Sequence, residues 1–332
     1  MTKIITLNKF NPDKNIISQA ADIIKSGNLV AFPTETVYGL GADALNSNAV
    51  KKIFAAKGRP SDNPLILHIS NINQVKNLAY ENAISKKIMN FFFPAPLTLV
   101  LNAKNIIPEV TRGGLDTVAI RMPNNPIALA LIEKANTPIA APSANLSGRP
   151  SPTDSKSVFN DMNGKIDLIL DGGGLTDIGI ESTVIDVTNP EKIFLLRPGA
   201  MPVEIIENFL NTKILTPDNS NDNSNQDKQK RSPGTRYRHY APSVPVKIFN
   251  PEIFDSDFQN SGFIGLHKPD NFTFKKYVIF DNIENYARGL FFAFRELEVQ
   301  NINSIFVELV NNSGLGRGLQ DRILRASGFS HI

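Results

Sequence analysis

The chain has 332 residues, of which 41% are apolar and 20% are charged, and its formal net charge is +3. This balance is typical of a globular protein with filled cores, and the length favours two domains. The small net charge argues against a protein that coats a polyanion. The absence of cysteine from the sequence excludes disulfides, thiolate metal sites and a cysteine nucleophile.

The N-terminal sequence MTKIITLNKF contains no apolar stretch typical of a secretory signal. No part of the sequence approaches the roughly 18 consecutive apolar residues that suggest a membrane-spanning helix. We therefore expect a cytoplasmic protein with no membrane association.

The first part of the chain alternates helical and strand-like patterns. A helix is predicted at residues 12–26, with Asn11 and Pro12 as its cap and first turn and with Ile16, Ala20, Ile23 and Ile24 on its apolar face. A second helix is predicted from Ser47 to Lys57, closed by Gly58. Strands are predicted at 4–7, 29–32, 65–69, 97–101, 118–121, 139–141, 168–170, 183–187 and 193–196. This alternation predicts an α/β domain over residues 1–210.

Residues 211–243 are predicted to form a linker. The stretch 216–231 contains no apolar residue and is expected to be disordered. The following segment, SPGTRYRHYAP, interleaves Tyr237 and Tyr240 with basic residues, and we expect it to act as a lid. Residues 244–332 then form a smaller α/β domain, with predicted strands at 246–249, 263–266, 277–280 and 305–309 and one helix with Tyr286, Leu290, Phe294 and Leu297 on one side.

Two common phosphate-binding signatures are missing from the sequence. The pattern GxxxxGK[ST] does not occur. The segment GLGRGL at 314–319 has leucine where the dinucleotide fingerprint needs its last glycine, and the chain ends 13 residues later. We interpret these glycines as a turn and a helix start.

Polar patches recur where the predicted strands end, and each by itself could be a local turn. FPTETVYGLGADA places Thr34 and its neighbours after a buried strand, and KGRPSDNPLILH carries two cations on a glycine-bent loop. TVAIRMP ends on Arg121, whose buried guanidinium needs an anionic partner. Several hydroxyl groups stand close together in APSANLSGRPSPT. Two further hydroxyls occur in IESTVIDV, and a further cation occurs in LLRPGAM. Together these patches suit a polyphosphate and a small polar substrate.

The chain resembles the YrdC-type threonylcarbamoyl-adenylate synthases, in the longer form with an additional C-terminal domain. The resemblance runs in order through PTETVYGLG, KGRPSDNPL, FPAPLTLVL, IRMP, APSANLSGRPSPT, ESTVIDV and LRPG, and continues through SPGTRYRHYAP into the tail. It implies a YrdC-like twisted open mixed sheet with helices, followed by a smaller Rossmann-like α/β domain. The implied reaction joins L-threonine, bicarbonate and ATP into threonylcarbamoyl-AMP and pyrophosphate.

The same resemblance implies roles for individual residues. Thr34, His68, Arg121 and Ser182 would contact threonine. The implied nucleotide-binding residues are Lys57, Arg59, Asn63, Thr117, Ser143, Asn145, Ser151 and Arg197, with Lys57 and Arg59 as the catalytic cations. Mg²⁺ would arrive with ATP, so no protein metal site is expected. The chain departs from the family at Ala141, where a hydroxyl is common.

Two alternatives stay open from the sequence. An RNA-binding module would show salt-sensitive RNA affinity without ATP turnover, although the modest net charge favours at most weak RNA binding. A carbamoyl-phosphate-using enzyme of hydrogenase maturation contains a related domain, but it carries zinc-finger cysteines that this sequence lacks. The expected downstream partner is a tRNA-modifying threonylcarbamoyl transferase complex.

Overall fold

A computed structural model describes residues 1–216, 239–252 and 258–328. Within these ranges the chain forms two α/β units, each built on its own sheet. In the described ranges we find no helix long and apolar enough to cross a membrane. The predicted lid residue Tyr237 and nearly all of the Asn-rich stretch lie outside the described residues.

The first unit contains an eleven-stranded sheet. In chain order its strands are β1 (Lys3–Thr6), β2 (Val30–Phe32), β3 (Gly39–Asp43), β4 (Ile66–His68), β5 (Ala79–Tyr80), β6 (Leu97–Ala103), β7 (Thr117–Arg121), β8 (Ile139–Ala140), β9 (Leu168–Asp171), β10 (Thr183–Asp186) and β11 (Phe194–Arg197). Their spatial order is β1-β9-β2-β3-β8-β4-β7-β6-β10-β11, and β5 pairs with β6. Parallel pairs, such as β4 with β7, occur beside antiparallel pairs, such as β3 with β8. The prediction of an open mixed sheet is confirmed.

The helices of the first unit are α1 (Lys14–Lys25), α2 (Ser47–Lys57), α3 (Val75–Leu78), α4 (Ala83–Phe92), α5 (Glu109–Arg112), α6 (Pro126–Ala135), α7 (Ser155–Met162) and α8 (Val203–Leu210). Helix α2 has the predicted bounds, because Gly58 adopts a left-handed φ of 60° and ends it. The predicted start of α1 is wrong, since Asp13 caps the helix and accepts two backbone N–H groups. The buried face of α1 also differs from the prediction, with Ile17 and Ala21 buried in place of Ile16 and Ile23.

Strand β3 was not predicted, because its glycines resembled a loop. The strand pairs antiparallel with β2, so the chain turns back after the polar segment 33–38. A Cβ on Gly41 would lie 2.7 Å from the Phe32 ring and 2.8 Å from Ile139. Glycine is therefore required there by the packing of neighbouring strands rather than by a turn.

The two faces of β4 have different surroundings. Leu67 belongs to the large core that also contains Ile53 of α2. Ile66 points to the opposite face, where it joins a smaller apolar cluster with Val100 and Val184. The smaller cluster does not cover this face completely, and the candidate site occupies the same side.

The second unit has four parallel strands, β12 (Val246–Ile248), β13 (Gly262–Gly265), β14 (Lys276–Ile279) and β15 (Ile305–Val307), in the order β12-β15-β13-β14. In the described part of this unit, two α-helices accompany the strands, α9 (Ile283–Glu298) and α10 (Leu315–Ser327). The predicted small α/β unit is confirmed. The glycine-rich segment opens α10, as the helix-start interpretation expected.

Apolar packing joins the two units. Val37, Ile180 and Ala200 of the first unit belong to the same buried cluster as Phe291 and Leu319 of the second. All three lie in loops of the first unit that border the candidate site. The position of the second unit is therefore set by contacts beside that site.

Candidate functional site

A cavity lined by many polar side chains, part of it open to solvent, lies on the first unit and is bordered by His239 and Tyr240 of the linker. The lining residues are Thr34, Val37, Tyr38, Gly39, Arg59, Leu65, Ile66, His68, Arg121, Ala141, Pro142, Ser143, Asn145, Arg149, Ser151, Glu181, Ser182, Arg197, His239 and Tyr240. Four of them are arginines and one is a glutamate, so the lining carries an excess of positive charge.

The cavity extends along one face of the sheet. Ile66 and His68, at the two ends of β4, both line it, as expected for residues two apart on a strand. Ala141 after β8 also lines it and donates its backbone N–H to the Ile66 carbonyl. The expectation that the polar patches would meet at strand ends is therefore only partly correct, because antiparallel β8 brings its loop to the other end of β4.

The sheet brings together His68 and Arg121, two of the residues predicted to bind threonine. They are paired positions on parallel strands β4 and β7. The Arg121 guanidinium forms an ion pair with Glu35, 2.7 Å between Nη2 and Oε1, and both side chains are about 5% exposed. Burial, followed by the nearby Arg121 cation, lowers the pKa of His68 to about 3. His68 is therefore a neutral imidazole at physiological pH.

Thr34 and Ser182 line the cavity from two different loops, one after β2 and one before β10. The Thr34 hydroxyl donates to the Val37 carbonyl at 2.7 Å and lies 2.8 Å from the Thr36 hydroxyl. These contacts stabilise the loop that contains all three residues. The Ser182 hydroxyl lies 2.8 Å from that of Thr98 and accepts from Arg197 Nη2 at 3.3 Å. Arg197 also donates to the Ser182 carbonyl, so the two residues form one rigid polar group.

Lys57 lies behind the cavity wall. Its ammonium group donates to the backbone carbonyls of Ser143 and Asn145, and the residue is only 2% exposed. Burial, followed by repulsion from Arg59, lowers the pKa of Lys57 well below its ordinary value. In this structure Lys57 holds the loop that carries Ser143 and Asn145, whereas Arg59 lines the cavity itself.

The sequence-based site residues fall into two groups. Those that line the cavity are Thr34, Arg59, His68, Arg121, Ser143, Asn145, Ser151, Ser182, Arg197 and Tyr240. Lys57, Asn63 and Thr117 are buried nearby but are not part of the lining. Thr117 begins β7, at the opposite end of the strand from Arg121.

Four polar lining residues were absent from the predicted site: Tyr38, Arg149, Glu181 and His239. Tyr38 and Glu181 stand inside polar segments that the sequence had already singled out, and His239 precedes the predicted lid tyrosine Tyr240. Proximity to a recognised motif was the available signal for these three. Arg149 stands inside APSANLSGRPSPT as well, but its partner Glu298 of α9 is 149 positions away and no local pattern indicates it.

Buried polar atoms without a hydrogen-bond partner concentrate at this cavity among the described residues. They include Nδ1 of His68, Nε of Arg121, Oδ1 of Asn145 and Nε2 of His239, which all line the cavity, and both side-chain polar atoms of Asn63 outside the lining. A buried polar group without a partner costs about 1–3 kcal/mol. Such a concentration is typical of a site whose partners are supplied by a polar ligand.

Comparisons with known proteins agree with this geometry. A family model described as "Telomere recombination" matches residues 22–199, and one described as "Threonylcarbamoyl-AMP synthase, C-terminal domain" matches residues 201–328. The threonylcarbamoyl-AMP synthase of Pyrococcus abyssi is 45% identical over 94% of this chain and 94% of its own length. The threonylcarbamoyl-AMP synthase of Bacillus subtilis is 42% identical over 94% of this chain and 93% of its own. The chain belongs to the threonylcarbamoyl-AMP synthase family.

Solved structures support the assignment to this family. The crystal structure of P. abyssi Sua5 complexed with L-threonine matches with a TM-score of 0.89 and 42% identity, over 99% of this chain and 98% of that one. A second P. abyssi Sua5 structure, in which a histidine and the next residue, a tyrosine, are replaced by alanine, also matches with a TM-score of 0.89 and 41% identity, over 99% and 97%. As a threonylcarbamoyl-AMP synthase, the chain is an ATP-dependent enzyme of the nucleotidyltransferase type that acts in tRNA modification.

Proposed function

We propose that the cavity binds L-threonine, bicarbonate and ATP together and forms threonylcarbamoyl-AMP and pyrophosphate within it. The observation that carries this proposal is the concentration of unpartnered buried polar atoms in a cavity lined by four arginines. Anionic oxygens of a ligand would accept from the N–H groups among these atoms and neutralise the arginine charge, and N–H or O–H groups of the same ligands could donate to the Asn145 amide oxygen. The solved threonine complex of the P. abyssi relative supports the same class of substrate.

The threonine end of the cavity is assigned to Arg121, His68, Thr34 and Ser182. Arg121 uses Nη2 of its guanidinium for the ion pair with Glu35, and its buried Nε has no hydrogen-bond partner. A guanidinium has five N–H donors, so it can bind a second carboxylate beside the first. Neutral His68 adds a hydrogen-bonding group without adding charge next to the substrate amine.

The nucleotide end is assigned to Arg59, Arg197, Ser143, Asn145 and Ser151. In the proposed reaction the threonine amine and bicarbonate form a carbamate and water. A carbamate oxygen then attacks the α-phosphorus of ATP, the bond to the β-phosphate breaks, and pyrophosphate leaves. Positioned cations stabilise charge at phosphorus, so this chemistry needs no covalent nucleophile from the protein.

Mg²⁺ is proposed to enter as part of the nucleotide substrate. Among the described residues no group of three His, Asp or Glu side chains could hold a metal ion. The lining carboxylate of Glu181 is occupied by Ser151 and Arg322. Phosphate oxygens and water are the ligands that Mg²⁺ prefers in such sites, and this fits the residues present.

Closure of the cavity is assigned to His239 and Tyr240, the described end of the predicted lid segment. Both line the cavity and both are less than 10% exposed. The sequence contains one His-Tyr pair, and the solved P. abyssi variant replaces a pair of the same residues. Excluding water here would protect a labile adenylate from hydrolysis. We further propose that the adenylate passes to a separate threonylcarbamoyl transferase complex and that RNA binding by this chain is weak.

The decisive experiment is pyrophosphate release by the purified chain with Mg²⁺ and ATP, with L-threonine and bicarbonate omitted in turn. Release that requires both compounds supports the proposed reaction. Folded protein without threonine-dependent release would refute it. Salt-sensitive RNA affinity in that second case would favour the RNA-binding module instead.

A further inference from the structure

The second unit inserts one arginine into the wall of the cavity. Arg322, on α10, is fully buried. Its Nε donates to Glu181 Oε2 at 2.6 Å, and its Nη1 donates to the Pro198 carbonyl at 3.0 Å. Glu181 and Pro198 belong to the first unit, so this side chain crosses the boundary between the units.

Glu181 connects Arg322 to the nucleotide end of the cavity. One of its carboxylate oxygens accepts from Arg322 and the other from the Ser151 hydroxyl. Burial by itself would raise the pKa of Glu181, but Arg322 and Arg197 outweigh burial, and the pKa lies below its ordinary value. Glu181 is therefore an anion in a cavity assigned to an anionic substrate, and Arg322 is its nearest counter-charge.

Arg322 also supports Tyr240. The guanidinium lies over the tyrosine ring, 5.2 Å from its centroid, and Phe291 of α9 stacks on the ring at 5.4 Å. Tyr240 has a left-handed φ of 67°, a conformation that non-glycine residues rarely adopt without tertiary support. The residue before it, His239, lines the cavity.

The backbone of α10 lies directly against the first unit close to Arg322. Gly318 lies one helical turn before Arg322, and a Cβ there would stand 2.6 Å from the Gly199 carbonyl oxygen. Gly199 in turn packs on the Glu181 carbonyl. The contact between the backbones of Gly318 and Gly199 holds α10 in the position in which Arg322 reaches Glu181.

We propose that Arg322 is a positioning residue of the synthase reaction: it neutralises and orients Glu181 and supports Tyr240, so the C-terminal unit completes the nucleotide end of the cavity. This inference rests on the proposed function. Without Arg322, the Glu181 carboxylate would repel the triphosphate and would lose one of its two hydrogen-bond donors. At the threonine end, His68 and Arg121 lie on β4 and β7 rather than on the Glu181 loop that Arg322 contacts, so the KM for threonine should change less.

The test compares Arg322→Met with Arg317→Met, a matched control on the same helix. Arg317 also forms an ion pair with the first unit, 2.7 Å to Glu204, but that pair is about one-third exposed and outside the cavity. For Arg322→Met we expect the KM for ATP to rise at least tenfold, with a KM for threonine within about threefold of wild type. For Arg317→Met both constants should stay at wild-type values.

A double variant distinguishes the effect of the unpaired Glu181 charge on ATP binding from a general loss of protein stability. Glu181→Gln combined with Arg322→Met removes the uncompensated carboxylate, so it should recover much of the KM for ATP that Arg322→Met loses. No recovery, or equal effects of Arg322→Met and Arg317→Met, would overturn the inference. If Arg322→Met does not fold, Arg322→Lys should give a smaller change in the same direction, and a wild-type KM for ATP in that variant would also overturn it. Failure of wild-type protein to release pyrophosphate would refute the proposed function instead, so the two failures are distinguishable.

Discussion

Replacing Lys57 and Arg59 one at a time should separate support of the cavity wall from contact with the nucleotide. Both cations come from the same short motif and both were predicted to hold ATP. The structure places the Lys57 ammonium on two backbone carbonyls behind the wall, whereas Arg59 lines the cavity. Methionine retains most of the lysine stem, so Lys57→Met removes the charge with little change in volume.

The magnitudes follow from these contacts. Lys57→Met leaves two buried carbonyls without their donor, at about 1–3 kcal/mol each, and part of this is offset because a buried ammonium no longer has to be desolvated. We expect a net destabilisation of about 2 kcal/mol, which corresponds to a Tm lower by about 4–8 °C for a unit of this size. Arg59→Met should leave Tm near wild type and raise the KM for ATP about 10- to 150-fold, since a charge-assisted contact contributes about 1.5–3 kcal/mol.

Thermal unfolding and steady-state pyrophosphate release would be measured on both variants. Lys51→Met is the control, because Lys51 is an exposed lysine on the same helix. Its Tm and its KM for ATP should both match wild type. A wild-type Tm for Lys57→Met, together with an Arg59-like rise in the KM for ATP, would show that the Lys57 ammonium contacts the nucleotide directly. That result would refute the assignment of Lys57 to the wall.

Three further predictions concern the rest of the site. Arg121→Lys should raise the KM for threonine at least tenfold with little change in the KM for ATP, because a lysine cannot bind Glu35 and a second carboxylate in the same planar geometry; equal changes in both constants would contradict the assignment. Gly318→Ala should lower Tm and weaken ATP binding together, since its Cβ would clash with the Gly199 backbone; a wild-type Tm in scanning calorimetry would contradict that contact. The pKa of His68 and that of His239 are each lowered to about 3, mainly by burial, so the unfolded chain binds protons more readily than the folded one as pH falls below about 6.5. As pH falls from 6.5 to 3, each histidine should therefore reduce the free energy of unfolding by roughly 1.4 kcal/mol per pH unit. In urea titrations, His68→Gln should remove the contribution of His68 to this pH dependence and leave that of His239.

Local sequence signals predicted several elements closely. Helix α2 has its predicted bounds because its end is determined by a glycine at its own C-terminus. Most predicted strands were correct to within one or two residues, since a buried strand requires a short apolar run wherever it is placed in the sheet. Strand β3 was missed because its sequence is rich in glycine, which is typical of a loop. Gly41 is needed there because a side chain would clash with Phe32 on β2 and Ile139 on β8, and the sequence does not show that these strands are its neighbours.

The candidate site was predictable as a set of residues but not as an arrangement. Thr34, His68, Arg121 and Arg197 stand in short motifs, and all four line the cavity. The motifs could not indicate that Glu35 pairs with Arg121 or that the Lys57 ammonium binds the backbone carbonyls of Ser143 and Asn145. Those outcomes depend on which side of a loop faces the interior, and that is decided by packing against other elements.

The sequence by itself determined the α/β class, the order of the motifs and the identity of most polar groups at the site, because these depend on periodicity and on the chemistry of individual residues. Only the tertiary structure decided that the cavity extends along the face of the sheet and that Arg322 reaches Glu181 across 141 positions. A buried ion pair between such distant residues leaves no local pattern. It forms because the two units dock through a shared apolar cluster and a close contact between two glycines, and this docking brings the charges together.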